Sequence, residues 1–283
     1  MNILNFLGFD RAYQDASLIL FGAPYDGTTS FRPGTRFGPM AARQESFGIE
    51  TYSPYLDADL EEYACCDLGD LEFPFGNKER VLEMIEEQAA TILADDKIPL
   101  MIGGEHLVSY GAIAAASKKY PDLHIIHFDA HADLRPDYLG DEFSHATVIR
   151  RAYDLVGDKK IFQFGIRSGL KEEFEFAQEH TTLQKFTLEG LEQVVETLQG
   201  KPVYVTIDQD VLDPSFFPGT GTPEPGGLCF HELLRGIHLL KGLKIAGADI
   251  VELSPHYDQS GISTAVTCKL VREMALTILS YKS

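Results

Sequence analysis

The sequence predicts an α/β fold, in which helices cover both faces of a parallel β-sheet. Three observations predict this class. Short apolar runs rich in Val, Ile, Leu and Phe alternate with longer segments of helical periodicity. Two loops rich in proline and glycine directly follow predicted strands. No repeat, low-complexity run or flexible linker divides the 283 residues, so we expect one domain over residues 1–283.

Eight apolar runs are the candidate strands. Each is short and nearly continuously apolar, which is typical of strands that are buried on both faces of a sheet. They span residues 17–22, 62–68, 98–103, 123–128, 160–165, 183–187, 202–208 and 244–251.

Two long segments predict helices that pack on this sheet. Apolar residues recur at helical spacing from Lys78 to Ala94, while three glutamates fall on the opposite face. The segment from Ser260 to Leu279 has the same pattern and closes the fold. The Pro/Gly-rich loops span residues 22–39 and 214–227, and we expect functional residues there because ligands bind outside the carboxyl ends of parallel strands.

The charge of the chain excludes some classes of partner. Acidic residues outnumber basic ones by 43 to 24, which gives a net charge of −19. Such a chain repels phosphate, so we expect no binding to nucleic acid or to anionic membranes. Two of the four cysteines are adjacent, which argues against a disulfide framework, and neither a secretory signal nor an apolar membrane span is recognisable. We therefore expect a cytoplasmic protein.

The most informative motif follows the apolar run that ends at residue 128. Here Asp129, His131 and Asp133 alternate with alanines. Because alternate side chains of an extended backbone point to one face, these three side chains can converge on one point. Two carboxylates and an imidazole that converge in this way predict a metal site.

Two further strand ends carry ligand-type residues. Asp208 ends the run at 202–208, Asp210 follows two residues later, and Asp213 lies just beyond. We expect no calcium loop of the EF-hand type, since Asp213 occupies the position where that loop needs glycine. The third end is Gly103-Gly104-Glu105-His106, where we expect the two glycines to allow a tight turn that presents His106.

Together these residues predict a centre with two metal ions. Four carboxylates and two imidazoles exceed the needs of a single tetrahedral zinc site. Oxygen-rich ligation without thiolate favours Mn²⁺ over Zn²⁺ or Cu²⁺. The candidate ligands are His106, Asp129, His131, Asp133, Asp208 and Asp210.

The motifs, taken in order, resemble those of the ureohydrolases, the arginase and agmatinase family. They are Arg-Pro-Gly-Thr-Arg-Phe-Gly-Pro (32–39), Gly-Gly-Glu-His (103–106), Asp-Ala-His-Ala-Asp (129–133), Ser-His-Ala-Thr (144–147), Asp-Gln-Asp-Val-Leu-Asp-Pro (208–214), Gly-Thr-Gly-Thr-Pro (219–223) and Val-Glu-Leu-Ser-Pro (251–255). The resemblance implies an arginase-like three-layer α/β/α sandwich with an eight-stranded, mostly parallel sheet. It also implies two Mn²⁺ per chain, hydrolysis of a guanidinium group to urea and an amine, and homo-oligomers, either trimers or hexamers.

The resemblance further implies a role for individual residues. One manganese would be held by His106, Asp129, Asp133 and Asp208, and the other by His131, Asp129, Asp208 and Asp210. Glu252 would grip the substrate guanidinium, His145 would relay protons, and Thr222 would line the substrate site. Asp210 and His145 are expected to supply the proton that the departing amine needs. Asp213 is expected to form a turn or to support the ligands from outside.

The segment before His145 favours agmatine as substrate, with putrescine and urea as products, a reaction of putrescine and polyamine biosynthesis. Asp137, Asp141 and Glu142 suit a second ammonium group better than a carboxylate. Arg135 could instead bind an acidic tail, although a structural salt bridge is the interpretation that we favour. The alternatives are hydrolysis of arginine, 4-guanidinobutyrate, guanidinopropionate or formiminoglutamate, or a catalytically silent metal-binding relative.

Overall fold

The computed structural model describes residues 4–281. In chain order its strands are β1 (Leu18–Ala23), β2 (Tyr52–Ser53), β3 (Ala58–Asp59), β4 (Cys65–Asp70), β5 (Ile98–Gly103), β6 (His124–Phe128), β7 (Ile161–Ile166), β8 (Thr182–Lys185), β9 (Pro202–Asp208) and β10 (Lys244–Val251). Its helices are α1 (Gly38–Glu45), α2 (Lys78–Ala94), α3 (Ser109–Lys119), α4 (Val148–Val156), α5 (Lys171–His180), α6 (Leu191–Thr197), α7 (Phe230–Leu239) and α8 (Ile262–Leu279).

Eight strands form one sheet in the order β4-β1-β5-β10-β9-β6-β7-β8. Every neighbouring pair in this sheet is parallel. Strands β2 and β3 form a separate antiparallel hairpin. The eight predicted strands are thus the eight strands of the main sheet, and the predicted parallel arrangement is confirmed.

Alternation along the strands produces two apolar cores. In β1, Leu18 and Leu20 belong to one core, which includes residues of α1, α6, α7 and α8. Ile19 and Phe21 point to the other face and belong to the second core, which includes residues of α2, α3, α4 and α5. The molecule is therefore a three-layer α/β/α sandwich, as predicted.

The predicted boundaries differ from the observed ones at a few ends. The second predicted strand, 62–68, begins later, at Cys65, because Leu60–Glu62 form a short 3₁₀-helix. Asp59 caps this turn by accepting a hydrogen bond of 3.1 Å from the backbone N–H of Glu61. Helix α2 has the predicted bounds, whereas α8 begins two residues late, after Gly261 in a left-handed conformation.

The strand order explains where the site lies. Strands β5, β10, β9 and β6 are neighbours at the centre of the sheet, although they come from distant parts of the chain. Because all four are parallel, their carboxyl ends lie at one edge.

None of the helices between residues 4 and 281 has both the length and the apolar composition that crossing a membrane requires.

Candidate active site

The segment after β5 depends on two glycines for close packing. A Cβ atom on Gly104 would lie 1.9 Å from the backbone oxygen of Tyr25, and one on Gly103 would lie 2.5 Å from Val251 Cγ1. Neither glycine has a positive φ. The chain bends at Gly104 and Glu105, as expected, and a 3₁₀-helix then begins at His106. The glycines are needed here because neighbouring segments approach the backbone closely, and not for a left-handed conformation.

The imidazole of His106 lies fully buried against three carboxylates. Its Nδ1 is 3.0 Å from Asp129 Oδ2, 3.1 Å from Asp133 Oδ2 and 3.4 Å from Asp208 Oδ2. This nitrogen makes no hydrogen bond of acceptable geometry to any described residue. On the other side of the ring, Nε2 lies 2.9 Å from Thr206 Oγ1. A buried nitrogen without a hydrogen bond, facing carboxylates, is what a metal ligand requires.

The second imidazole, His131, lies at the other end of the same cluster. Its Nδ1 is 3.0 Å from Asp210 Oδ2 and 3.5 Å from Asp129 Oδ1. Asp210 also accepts hydrogen bonds of 3.2 Å from the backbone N–H of Ala130 and of 3.3 Å from the hydroxyl of Thr222. The structure thus brings all six predicted ligands together, with Asp129 between the two imidazoles.

The carboxylates of this cluster destabilise one another. Burial, followed by the charges of Asp210 and Asp129, raises the pKa of Asp208 well above its ordinary value. Burial and the charge of Asp129 raise the pKa of Asp133 to about 7. Buried carboxylates that lie this close need a compensating positive charge. The donor set of carboxylate oxygens and imidazole nitrogens fits divalent cations such as Mn²⁺.

Two of the acidic site residues, Asp133 and Glu252, have an unusual backbone conformation. Asp133 has a φ of 52° and Glu252 a φ of 67°, both in the left-handed region that non-glycine residues avoid. Such a conformation costs of order 1–3 kcal/mol and persists only where the surrounding structure imposes it. Its occurrence at two predicted site residues is typical of functional sites.

Glu252 follows β10 and is tied to the segment after β5. Its backbone N–H donates to Gly104 O at 2.9 Å, and its Oε1 accepts from the backbone N–H of His106 at 2.8 Å. Burial and the charge of Asp210 raise the pKa of this carboxyl group well above its ordinary value. A bound cation next to Glu252 would reverse this effect.

His145 begins a short 3₁₀-helix and faces the same cavity. Its backbone N–H donates to Thr28 Oγ1 at 3.0 Å, and its Nε2 lies 3.3 Å from Ser30 Oγ. Burial lowers its pKa to about 4, so the ring is neutral at pH 7. Both Pro/Gly-rich loops reach this site, the first through Ser30 and the second through Thr222.

The cavity has a volume of about 240 Å³. This is below the ~300–1,000 Å³ that is usual for drug-sized ligands, so it suits a small substrate. Its wall contains four of the six predicted ligands and all three of the other predicted site residues: His106, His131, Asp133, Asp208, His145, Thr222 and Glu252.

The acidic residues of the segment before His145, which are Asp137, Asp141 and Glu142, do not line this cavity. Asp141 forms an ion pair with Lys78, and Glu142 lies 3.5 Å from Arg151. Asp137 accepts a hydrogen bond of 3.0 Å from the backbone N–H of Gly140. The prediction that these carboxylates meet a second ammonium group is therefore wrong, because each is already occupied outside the cavity.

Two other sequence interpretations are confirmed by contacts. The Nε of Arg135 lies 3.5 Å from Glu173 Oε2, which is the expected structural salt bridge. Asp213 forms a turn: hydrogen bonds from Ser215, and further ones from the backbone of Gly226 and Gly227, lower its pKa to about 2.

One buried residue of the cluster was missed by the sequence reasoning. His127 Nε2 lies 2.7 Å from Asp129 Oδ2, and burial lowers the pKa of this imidazole. His127, His106 and Asp129 form one group close enough to hold a metal ion, and Asp129, His131 and Asp210 form another. The available signal was a histidine within an apolar strand, two residues before Asp129, since a buried polar residue requires a partner.

Comparison with known proteins identifies the family. The model of the arginase family matches residues 16–277. The chain belongs to the arginase family. It is 50% identical to the agmatinase of Bacillus subtilis over 275 residues, which cover 96% of this chain and 95% of that protein. The family predicted from the motifs is confirmed.

Two crystal structures support the same assignment. A Clostridium difficile protein superposes with a TM-score of 0.92 at 53% identity, over 94% of this chain and 98% of that one. The agmatine ureohydrolase of Thermoplasma volcanium gives a TM-score of 0.90 at 34% identity, over 99% and 96% of the two chains. These relatives confirm the arginase fold and the prediction of a ureohydrolase of the agmatinase type for this arginase-family chain.

Proposed function

We propose that this arginase-family enzyme hydrolyses agmatine to putrescine and urea at a centre that holds two Mn²⁺ ions. The charge of the cavity wall carries the choice of substrate. Arg135 is the one lysine or arginine among the described lining residues, and it is paired with Glu173 and stacked on the ring of Tyr138 at 4.7 Å. A carboxylate tail would have to compete with Glu173 for Arg135, whereas a substrate with two positive charges matches the acidic residues of the wall.

The contacts of the two imidazoles support the assignment of the ligands. The carboxylates close to His106 Nδ1 are those of Asp129, Asp133 and Asp208, which complete the predicted set for one ion. Those close to His131 Nδ1 belong to Asp210 and Asp129, and Asp208 completes the other set. When bound, the two Mn²⁺ ions supply Lewis acidity that activates water and stabilises developing negative charge.

Glu252 binds and orients the guanidinium group. Its Oε1 is occupied by the backbone N–H of His106, which leaves Oε2 to accept from the guanidinium N–H groups. A cation there also lowers the pKa of the carboxyl group, which burial has raised. The substrate and Glu252 therefore stabilise each other's charged forms.

His145 moves a proton at its Nε2. The hydroxyl of Thr28 donates to Glu105 at 2.7 Å, so towards His145 it can only accept. It lies 3.4 Å from His145 Nδ1, which places the ring proton on Nδ1 and the lone pair on Nε2. The proton that the departing amine needs is the one that the attacking water loses: His145 Nε2 or the carboxylate of Asp210 first accepts it and then passes it to the amine.

Urea release tests the proposal. Full-length protein loaded with Mn²⁺ is assayed with agmatine, arginine and 4-guanidinobutyrate. We expect kcat/KM for agmatine to exceed that for the two carboxylates by at least ~100-fold, since a like charge against the acidic wall costs several kcal/mol. Preference for 4-guanidinobutyrate would refute the assignment to agmatine, and no urea from any of the three would refute the enzyme itself.

A matched variant tests the role of Glu252. Glu252→Gln keeps the size of the side chain and removes its charge, so the protein should keep its metal ions and lose about 10- to 100-fold in kcat/KM for agmatine. Loss of bound metal from this variant would contradict the role.

The cytoplasmic location, the trimeric or hexameric state and the single domain over residues 1–283 stay predictions.

A further inference from the structure

We propose that His127 is a positioning residue of the metal centre. Its Nε2–H holds the carboxylate of Asp129 in place, and the imidazole itself does not ligate a metal ion. The inference rests on the metal centre proposed above. It concerns a residue that had no role in the sequence motifs.

The position of His127 makes two roles possible. It lies in β6 two residues before Asp129, so both side chains point to the same face, and it is fully buried. Its Nε2 lies 2.7 Å from Asp129 Oδ2, and its ring centroid is 5.2 Å from that of His106. By distance alone, this nitrogen could donate to Asp129 or bind a metal ion with His106 and Asp129.

The other side of the ring decides between these roles. Gln163 Nε2 lies 2.8 Å from Ala132 O and 3.1 Å from His127 Nδ1. A backbone carbonyl only accepts, so the Gln163 atom that contacts it is the amide nitrogen. The hydroxyl of Thr181, 3.1 Å from Gln163 Oε1, completes this orientation by donating to the amide oxygen.

An amide nitrogen can only donate, so His127 Nδ1 must accept from Gln163. A neutral imidazole that accepts at Nδ1 carries its proton on Nε2. That proton points at Asp129 Oδ2, and a protonated nitrogen has no lone pair for a metal ion. The geometry therefore assigns His127 as a donor to Asp129.

Two donors then fix both oxygens of Asp129. Oδ1 accepts from the backbone N–H of His131 at 2.6 Å, and Oδ2 accepts from His127 Nε2 at 2.7 Å. Asp129 lies between the two predicted metal positions, so its orientation matters to both. Loss of the His127 donor would leave the carboxylate free to rotate and would weaken the binding of both ions.

Titration with Mn²⁺ tests the role. Full-length protein is stripped with a chelator, titrated with Mn²⁺, and the free ion is measured by electron paramagnetic resonance. His127→Phe keeps a ring and removes the donor, so it should bind Mn²⁺ about 10- to 100-fold more weakly. His127→Gln offers an amide N–H towards Asp129 and should stay within about threefold of the wild type.

A histidine on the same strand provides the control. His124 lies at the beginning of β6, and its Nδ1 is 2.8 Å from Asp122 O, away from the cluster. His124→Phe should bind Mn²⁺ as the wild type does. Circular dichroism and thermal unfolding show whether each variant is folded before it is titrated.

Three outcomes would overturn the inference. Wild-type affinity in His127→Phe would mean that the donor is not needed. Equal weakening in His127→Gln and His127→Phe, or loss of one ion from the binding stoichiometry in both, would make His127 a ligand. If the wild type itself binds no Mn²⁺, the proposed metal centre fails instead, so the two failures are distinguishable.

A second variant keeps the test decisive if His127→Phe does not fold. Gln163→Met retains the imidazole but removes the donor that holds its proton on Nε2. We expect Mn²⁺ to bind more weakly, at the lower end of the ~10- to 100-fold range. Unchanged affinity in this variant would overturn the inference.

Discussion

The two imidazoles of the cluster lie in different surroundings. His106 is fully buried, and its Nε2 bonds to Thr206 Oγ1, which in turn donates to Asp249 Oδ1 at 2.6 Å. The side chain of His131 is 25% exposed and lines the substrate cavity. Both imidazoles contribute to the cavity wall, but the His106 side of the centre has no exposed surface, whereas the His131 side is partly exposed to solvent.

This difference assigns metal anchoring and substrate turnover to different sides of the centre. The buried side is built by residues of the central strands, and the Thr206–Asp249 pair fixes the ring of His106 as outer partners of metal ligands do. The open side faces the cavity together with His145. We infer that the buried side mainly anchors an ion and that the open side admits the substrate and exchanges protons.

The largest expected effect on metal content and rate comes from replacing Asp129, the residue that lies between the two sides. Asp129→Ala removes a carboxylate that both predicted ligand sets share, so the variant should hold markedly fewer than two Mn²⁺ per chain. Its rate should fall by more than the ~100-fold that loss of an outer partner causes. Elemental analysis and urea release measure the two effects. Asp137→Ala is the control, and full metal occupancy in Asp129→Ala would contradict the shared role.

A large effect confined to the open side is expected from His145→Ala. The variant should keep both Mn²⁺ ions and lose about 10²- to 10⁴-fold in kcat, the usual contribution of a proton-transfer group. Because the pKa of His145 is lowered to about 4, the ring stays neutral from about pH 6 to 9, and the loss should be constant across that range. Loss of metal would instead make His145 a structural residue.

The smallest effect separates the two imidazoles themselves. His106→Ala leaves buried partners unpaired, so it should lower the free energy of unfolding of the metal-free protein by ~1–3 kcal/mol. His131→Ala, on the exposed side, should lower it by less than about 0.5 kcal/mol. Chemical denaturation of both variants without metal measures the difference. Equal losses would show that the two sides are equally closed.

Much of the fold was predictable because its signals are local. A strand that is buried on both faces needs a continuous apolar run, and all eight runs are strands of the sheet. The predicted start at residue 62 failed because Asp59 caps a short 3₁₀-helix over Leu60–Glu62, a competition that apolar periodicity does not register. The hairpin of β2 and β3 has two residues in each strand, too few for any periodic signal.

The site was predictable where its residues end strands, and less so elsewhere. Asp208 ends a strand, Asp129 and His106 follow strand ends, and all three lie together. His127 and Asp249 lie inside apolar strands, where their need for buried partners was the available signal. Asp141 was misjudged, because local acidity does not indicate which way a side chain faces, and in the structure it pairs with Lys78.

Most of the secondary structure, the family and the kinds of side chain at each strand end could be read from the sequence, since these depend on spacing along the chain. The tertiary structure alone decided which ends meet. The order β5-β10-β9-β6 brings the strand ends at Gly103, Val251, Asp208 and Phe128 to one edge of the sheet. It also decided which nitrogen of His127 carries a proton, because that depends on Gln163, a partner 36 residues away. Hydrogen-bond partners of buried groups are set by long-range packing, which spacing along the chain does not encode.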